Sequence, residues 1–437
     1  MKKSVMLCII YIAITIIASR SAIGYDDKIT HPDISSIAIR NSHLDEYLKD
    51  DLGFSAGIQT KVPSNSNDDI FFLLKKGSKL EDHPMCRASN HFHNPLLPWD
   101  QSQLDDSSGF TSWVIHTWCT EQGWLDQNRK SAITWATGYE TYNGPIVLRT
   151  KQEMGWDNAR SYFYSALTST TNINKEASFV KTFEAVGQVM HLLQDMAVPA
   201  HVRNDFLNSH VYTGGSNPYE LYVKRNQNLV SGLTDTQIIT PAFTNPRPTD
   251  FWDTTDGTAL VPPQISDTSL QTKAGLAEYT NANFVSEGTL ISNASNAFHY
   301  PALTSVQTTT IDIADPFVNG WTIPRTYYEK VRDWDTGYLL AGTGFLDVYQ
   351  GSPLGESVPP IPPLDKYVHN DYAKRLIPRA VGYSAGLLNY FFRGTLEISA
   401  PDQFVYAMAD GSMTPHQFTT VKAKVRNTRR NFGDVDT

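Results

Sequence analysis

The chain has 437 residues, of which 41% are hydrophobic and 19% charged, with a net charge of −9. That length allows one large or two ordinary domains, and the composition excludes a wholly disordered chain. There is no long basic run, so non-specific attraction to nucleic-acid phosphates is disfavoured, although bound cations would bring positive charge of their own.

At the N-terminus, Lys2 and Lys3 precede an apolar stretch from Val5 to Ala18, followed by Ala22, Ile23 and Gly24. A basic start, a short apolar run and a small-x-small site predict a signal peptide over residues 1–24 and a secreted or periplasmic product. The run is short for a membrane span. Cleavage after Gly24 makes Tyr25 the first mature residue. Cys8 belongs to the leader, which leaves Cys86 and Cys119 either to pair in an oxidising compartment or to stand as two thiols.

The next elements follow from capping and periodicity. Thr30, Asp33 and the apolar Ile34, Ile37 and Ala38 predict a helix over 30–40. Helices are also expected over 156–168, 174–196 and 219–232, with a short one near 273–286. The Thr-, Asn-, Ser- and Pro-rich stretch 235–325 reads as long loops or an insertion. Pro359 to Pro363 form a stiff connector, and a last helix follows Pro378 and runs to Arg393, stopped by Gly394. Phe404 to Tyr406 and the alternating Val421, Ala423 and Val425 suggest strands over 396–437, which either pack on the helical part or open a second domain. The expectation is a mainly α, multi-helical domain over 25–395, with loop insertions and a short C-terminal β segment.

The helix over 174–196 is the most informative segment. Glu184, Gln188, His191 and Asp195 fall on one stripe, and the rest of the wheel is apolar almost all round, so the helix is expected to be buried with its polar stripe facing inward. A buried imidazole and carboxylate need partners. On this helix alone, one metal ion held by His191 and Asp195, or a His–Asp hydrogen bond without metal, are equally open.

Pro199 then ends the helix, and the turn can bring His201 back beside His191 and Asp195. The order His191, Asp195, Pro199, His201, Asn204 resembles the zinc-ligand signature of bacterial zinc-dependent phospholipase C and the single-strand-specific zinc nucleases. Glu81, Asp82, His83 and Pro84, followed by His91, Phe92, His93, Asn94 and Pro95, are similar to that family's acidic residue and its His-Phe-aromatic-Asp-Pro context. Thr30 and His31 resemble the site of its first His ligand. The resemblance covers roughly residues 25–225 and extends, with fewer matching residues, to the helix ending at Arg393.

What the resemblance implies is a zinc-dependent phosphodiester hydrolase with up to three Zn2+ ions. Asp82, His91, His191 and Asp195 would hold one ion. His31, the backbone of Tyr25 and a bridging Asp195 would hold a second, and His201, Glu220 and His210 a third. Asp82 would also sit beside the metal-activated water, and Glu184 and Gln188 would either orient ligands or serve as ordinary buried hydrogen-bonding partners. The chain departs from the pattern at Ser216, where the family places a His four residues before the acid, and His210 is the nearby substitute. Glu81 is an alternative to Asp82, and His93 a supporting or surface residue. Ligand chemistry without paired cysteines suits an open, catalytic zinc site.

Phospholipid is the preferred substrate, with contact at a membrane surface, and single-stranded nucleic acid is the alternative. Two readings from other classes remain. One is a metal-binding surface protein without catalysis, which Ser216 favours. The other is a serine hydrolase suggested by Gly382, Tyr383, Ser384, Ala385 and Gly386, a G-x-S-x-G string. No alternating strand–helix pattern precedes that string, and only His416 follows it, so small residues in a packed helix explain it better.

Overall fold

The computed structural model describes residues 28–83, 85–104, 129–138, 152–206, 209–210, 217–256, 271–289, 301, 303–314, 319–343, 363–394, 396–401, 407–410, 412 and 417–427. The leader, Tyr25, Cys119, the Cys86 side chain, Phe404 to Tyr406 and Ser216 lie outside the described residues. The fold is mainly α with a small antiparallel sheet.

The helices in chain order are α1 (Thr30–Arg40), α2 (Leu44–Asp50), α3 (Ile70–Leu80), α4 (Ala132–Thr137), α5 (Trp156–Thr168), α6 (Asn172–Gln194) and α7 (Pro199–Val202). Then come α8 (Pro218–Arg225), α9 (Asn228–Ser231), α10 (Leu276–Asn283) and α11 (Lys366–Phe391). In α3, Asp69 caps the N-terminus by accepting from the Phe72 N–H at 2.7 Å, and Ile70, Leu73, Leu74 and Gly77 bury one face. In α6 nearly every residue from Phe183 onward is buried.

α3 and α6 cross at glycines. A Cβ on Gly77 would come within 2.1 Å of the Glu184 carbonyl oxygen, and one on Gly187 within 2.2 Å of the Leu74 carbonyl oxygen. The two backbones therefore touch, and that contact brings the end of α3 to the end of α6. It is here that the polar side chains collect.

The α11 helix differs from the sequence expectation. It begins twelve residues before Pro378, capped by Asp365, which accepts from the N–H groups of Tyr367 and Val368. An interior proline costs about 3 kcal/mol, but Tyr372, Leu376, Ile377, Val381 and Leu388 are all buried and outweigh it. The helix ends at Phe391, so Gly394 lies beyond its cap. The segment expected as one helix over 219–232 is α8 and α9, separated by Asn226 and Gln227.

The region expected to be loops over 235–325 contains regular structure. Besides α10 it holds β1 (Val306–Ala314) and the start of β2 (Thr322–Lys330), which with β3 (Tyr338–Gly342) forms a sheet in the order β1-β2-β3. β1 and β2 pair antiparallel from Val306↔Lys330 to Ala314↔Thr322. β1 is mostly solvent-facing, so it lacks the apolar alternation that marks a half-buried strand. Its threonines still suit a strand, and Thr310 meets Thr326 across the pair at 3.0 Å between hydroxyl oxygens. β3 is tied to α11 by the Tyr372 hydroxyl on the Leu340 carbonyl (2.8 Å) and the Leu339 N–H on Asp371 (3.0 Å).

Toward the C-terminus, β4 (Leu396–Ser399) pairs with β7 (Lys424–Asn427), and β5 (Ala407–Asp410) with β6 (Gln417–Val421). Val421 and Val425, read from sequence as one alternating strand, lie in different pairs. No helix among the described residues is long and apolar enough to cross a membrane.

Candidate metal centre

Each polar side chain at the α3–α6 crossing is placed by its element. His31 sits in the first turn of α1, and Asp82 lies two residues past α3. His91 follows the 3-10 turn Met85–Asn90, His191 is in the last turn of α6, and Asp195 opens the 3-10 turn after it. His201 is on α7, which Pro199 starts, and Glu220 is in the first turn of α8, where Asn217 caps and Pro218 occupies the first position. His210 reaches the same place from the segment after α7. His31, His91, His191, Asp195 and His201 are fully buried, and His210 and Glu220 are 3% exposed.

These side chains gather into three groups whose ligand atoms lie within 4.8 Å of one another: Asp82, His91 and His191; His31, His191 and Asp195; and His201, His210 and Glu220. Asp195 stands at the centre. Its Oδ2 is 2.9 Å from His91 Nδ1 and 3.4 Å from His191 Nε2, while its Oδ1 is 3.3 Å from His31 Nε2 and 3.8 Å from His201 Nδ1. Asp82 Oδ1 lies 3.5 Å from His91 Nδ1 and 3.7 Å from His191 Nε2. In the third group, Glu220 Oε1 is 3.3 Å from His201 Nε2 and 4.0 Å from His210 Nε2.

The tautomers follow from the far side of each ring. His191 Nδ1 donates to the Ser78 carbonyl at 2.6 Å, so Nε2 carries the lone pair that faces the centre. His31 Nδ1 donates to Gln194 Oε1 at 2.7 Å, and the orientation of that amide is set by its own N–H donation to Ser35 at 2.9 Å and Ser384 at 3.4 Å. His201 Nδ1 donates to the His91 carbonyl at 3.2 Å. Outer partners of this kind orient a ligand ring and fix which nitrogen binds.

Both oxygens of Asp82 and of Asp195, both ring nitrogens of His91 and of His210, and Nε2 of His191 and His201 are buried without a hydrogen bond. Such atoms cost free energy when left unsatisfied, and a cation in each group would satisfy the one ligand atom that each residue turns toward it. Among the described residues the donor set is imidazole and carboxylate, which fits Zn2+. These groups can therefore hold metal ions.

The electrostatics point the same way. Burial opposes charge on Asp195, but His191 and His201 hold its carboxyl well below the ordinary range. Burial also opposes charge on His91, yet Asp195 and Glu81 raise it to about 10. Burial pushes His201 down to about 4, and it lowers His31 together with His191 beside it. Asp195 is thus held as an anion and His31 and His201 as neutral rings, the forms that bind metal. Burial raises the Asp82 carboxyl, and it opposes charge on His191, which Asp195 and Asp82 raise nonetheless.

Comparison with protein-family models, with curated proteins and with solved structures returns no match. The site's own geometry is therefore what any functional reading rests on.

Of the residues singled out from the sequence, the structure gathers His31, Asp82, His91, His191, Asp195, His201, His210 and Glu220. The expected role of Glu184 is overturned: its carboxylate pairs with Lys76 at 2.6 Å on the surface side of α6. Gln188 acts at one remove, accepting from Arg87 at 3.1 Å, which in turn holds Glu81 at 2.7 Å. Glu81 does not replace Asp82. Its Oε1 accepts from the Trp135 indole at 2.8 Å and lies 3.7 Å from His91 Nε2, so it backs the ring. His93 is fully buried rather than on the surface.

The G-x-S-x-G string lies within α11. A Cβ on Gly382 would meet the Ile239 carbonyl oxygen at 2.1 Å, and Ser384 is buried against Gln194. Close packing explains the string, and Ser384 belongs to the support of His31. Gln194, the Ser78 carbonyl and Asp253, described below, were missed by sequence reasoning. Gln194 precedes Asp195 directly, and a buried amide on an otherwise apolar helix was the available signal.

Proposed function

We propose that this chain is a secreted zinc-dependent phosphodiester hydrolase that acts on phospholipids, as the bacterial zinc-dependent phospholipases C do. The observation that supports this reading most strongly is the Asp195 carboxylate, buried among four imidazoles with neither oxygen in a hydrogen bond, at the junction of three ligand groups.

Bound zinc would supply an electrophile for phosphate oxygens and lower the pKa of water toward about 7. Asp82, His91 and His191 would hold one ion, His31 and Asp195 another, and His201, His210 and Glu220 a third. The Asp82 side chain is about 10% exposed where those of His91, His191 and Asp195 are closed off. It is the carboxylate best placed to accept the proton of an attacking water. Attack of that water on phosphorus would form the new P–O bond and break the bond to the leaving oxygen, which takes a proton from solvent while Asp82 releases the one it accepted. His31, His191 and His201 would remain as neutral ligands throughout, since each donates its Nδ1 hydrogen to a fixed acceptor.

The test uses the mature protein, beginning at Tyr25, against phosphatidylcholine vesicles and single-stranded DNA, each with zinc and with a chelator. Chelator-sensitive release of diacylglycerol supports the proposal. Chelator-sensitive cleavage of DNA alone transfers the reading to a nuclease, and metal binding without turnover of either leaves a metal-binding surface protein.

A further inference from the structure

Outside the three groups lies a buried cluster that the proposed chemistry does not use: His93, Ser102, Trp99 and Asp253. His93, Ser102 and Asp253 are fully buried. Asp253 Oδ2 accepts from His93 Nε2 at 3.0 Å and from the Trp99 indole at 2.9 Å. Its Oδ1 accepts from the N–H and hydroxyl of Thr255 at 2.9 and 3.2 Å. Ser102 Oγ lies 2.9 Å from His93 Nδ1 and donates to the Trp99 carbonyl at 3.0 Å. The order Ser, His, Asp resembles a nucleophile triad, but no substrate reaches a hydroxyl sealed in this way.

What the cluster holds is more telling. The His93 N–H donates to the His201 carbonyl at 3.0 Å, and the His201 ring donates to the His91 carbonyl at 3.2 Å. Two ligands from different groups are thus laced together by main-chain atoms, and His93 is the knot. Asp253 sits on a fixed support: Trp252 is fully buried, its indole donates to the Leu192 carbonyl at 3.2 Å, and its own carbonyl accepts from Ala277 at 3.0 Å.

We infer that Asp253 is a positioning residue that fixes His91 and His201 relative to each other through His93, so that the groups containing them gain or lose metal together. The inference rests on the metal reading of the site. All four contacts to the carboxylate come from donors, so an amide in its place would turn an N–H2 toward a donor on one side. Removing an outer partner of a ligand commonly lowers metal affinity about 10–100-fold. Here one substitution should do so at two groups, neither of which Asp253 touches.

The experiment is zinc content by elemental analysis after dialysis of wild type, H210A and D253N against buffered free zinc, with the thermal midpoint of each metal-free protein. We expect H210A to lose one ion, and folded D253N to lose two while keeping the third. Should D253N not fold, H93A removes the ring that Asp253 holds but keeps the main-chain donor to His201, and it should show the same paired loss. A D253N or H93A that melts earlier yet retains every ion at the same free zinc has only a structural role, and overturns the inference. Wild type that binds no zinc overturns instead the metal reading beneath it.

Discussion

His191 and Asp195, one turn apart at the end of α6, approach to 3.4 Å between Nε2 and Oδ2 without forming a hydrogen bond. In an interior where such pairs are ordinarily bonded, two groups converging without bonding signal a shared third partner. Asp195 has the same relation to His91, so its removal should be felt across the centre.

D195N should therefore lower zinc content more than any other single ligand substitution, with an affinity loss beyond the roughly 100-fold typical of outer partners. Competition against a chromophoric chelator measures it. Retention of every ion by D195N would contradict the central place given to this carboxylate.

Metal removal should also destabilise the fold, because the unpartnered ligand atoms are buried. An ion present at about 1,000 times its Kd contributes about 4 kcal/mol per site. The thermal midpoint should fall on chelation and recover with added zinc, and a midpoint indifferent to chelator would count against bound metal.

The α3–α6 crossing gives a prediction independent of metal. Gly77→Ala or Gly187→Ala places a methyl within 2.1 or 2.2 Å of a carbonyl oxygen on the facing helix. Overpacking of this kind costs about 1–3 kcal/mol, and because the obstacle is backbone the upper part of that range is expected. Urea unfolding of metal-free protein reads it directly.

Glu278 provides a pH test away from the ligands. Burial, with Asp253 nearby, pushes its carboxyl up to about 8. Folded protein then binds a proton that the unfolded chain releases near 4.5, so stability should fall as pH rises from about 4.5 to 8. One oxygen accepts from the N–H groups of Gly275 (2.6 Å) and Thr254 (3.1 Å), and the other lies 3.1 Å from the Thr254 hydroxyl. A glutamine can copy that arrangement, so E278Q should flatten this contribution and raise stability above pH 8. Denaturant midpoints across pH decide it.

The ligand-bearing end of α6 was legible because burial leaves a mark: a helix apolar all round that still carries His191 and Asp195 must do something with them. The same logic overreached at Glu184, which lies within the buried part of the helix but pairs with Lys76 instead of turning to the centre. Pro378 misled because the rule against interior proline is local, while the burial of Tyr372, Leu376 and Val381 is not. β1 escaped notice because an exposed strand needs no apolar alternation. Asp253 was out of reach from sequence, since a carboxylate that meets His93 from 160 residues away leaves no spacing to read.

His191 has one nitrogen to offer, because Ser78 holds the other through its main chain. Two of the three groups claim that nitrogen. Filling both at once would leave one of them short of a donor, to be made up by water, substrate or another part of the chain. A single lone pair therefore arbitrates between two neighbouring cations, and the one that loses it would be the more exchangeable.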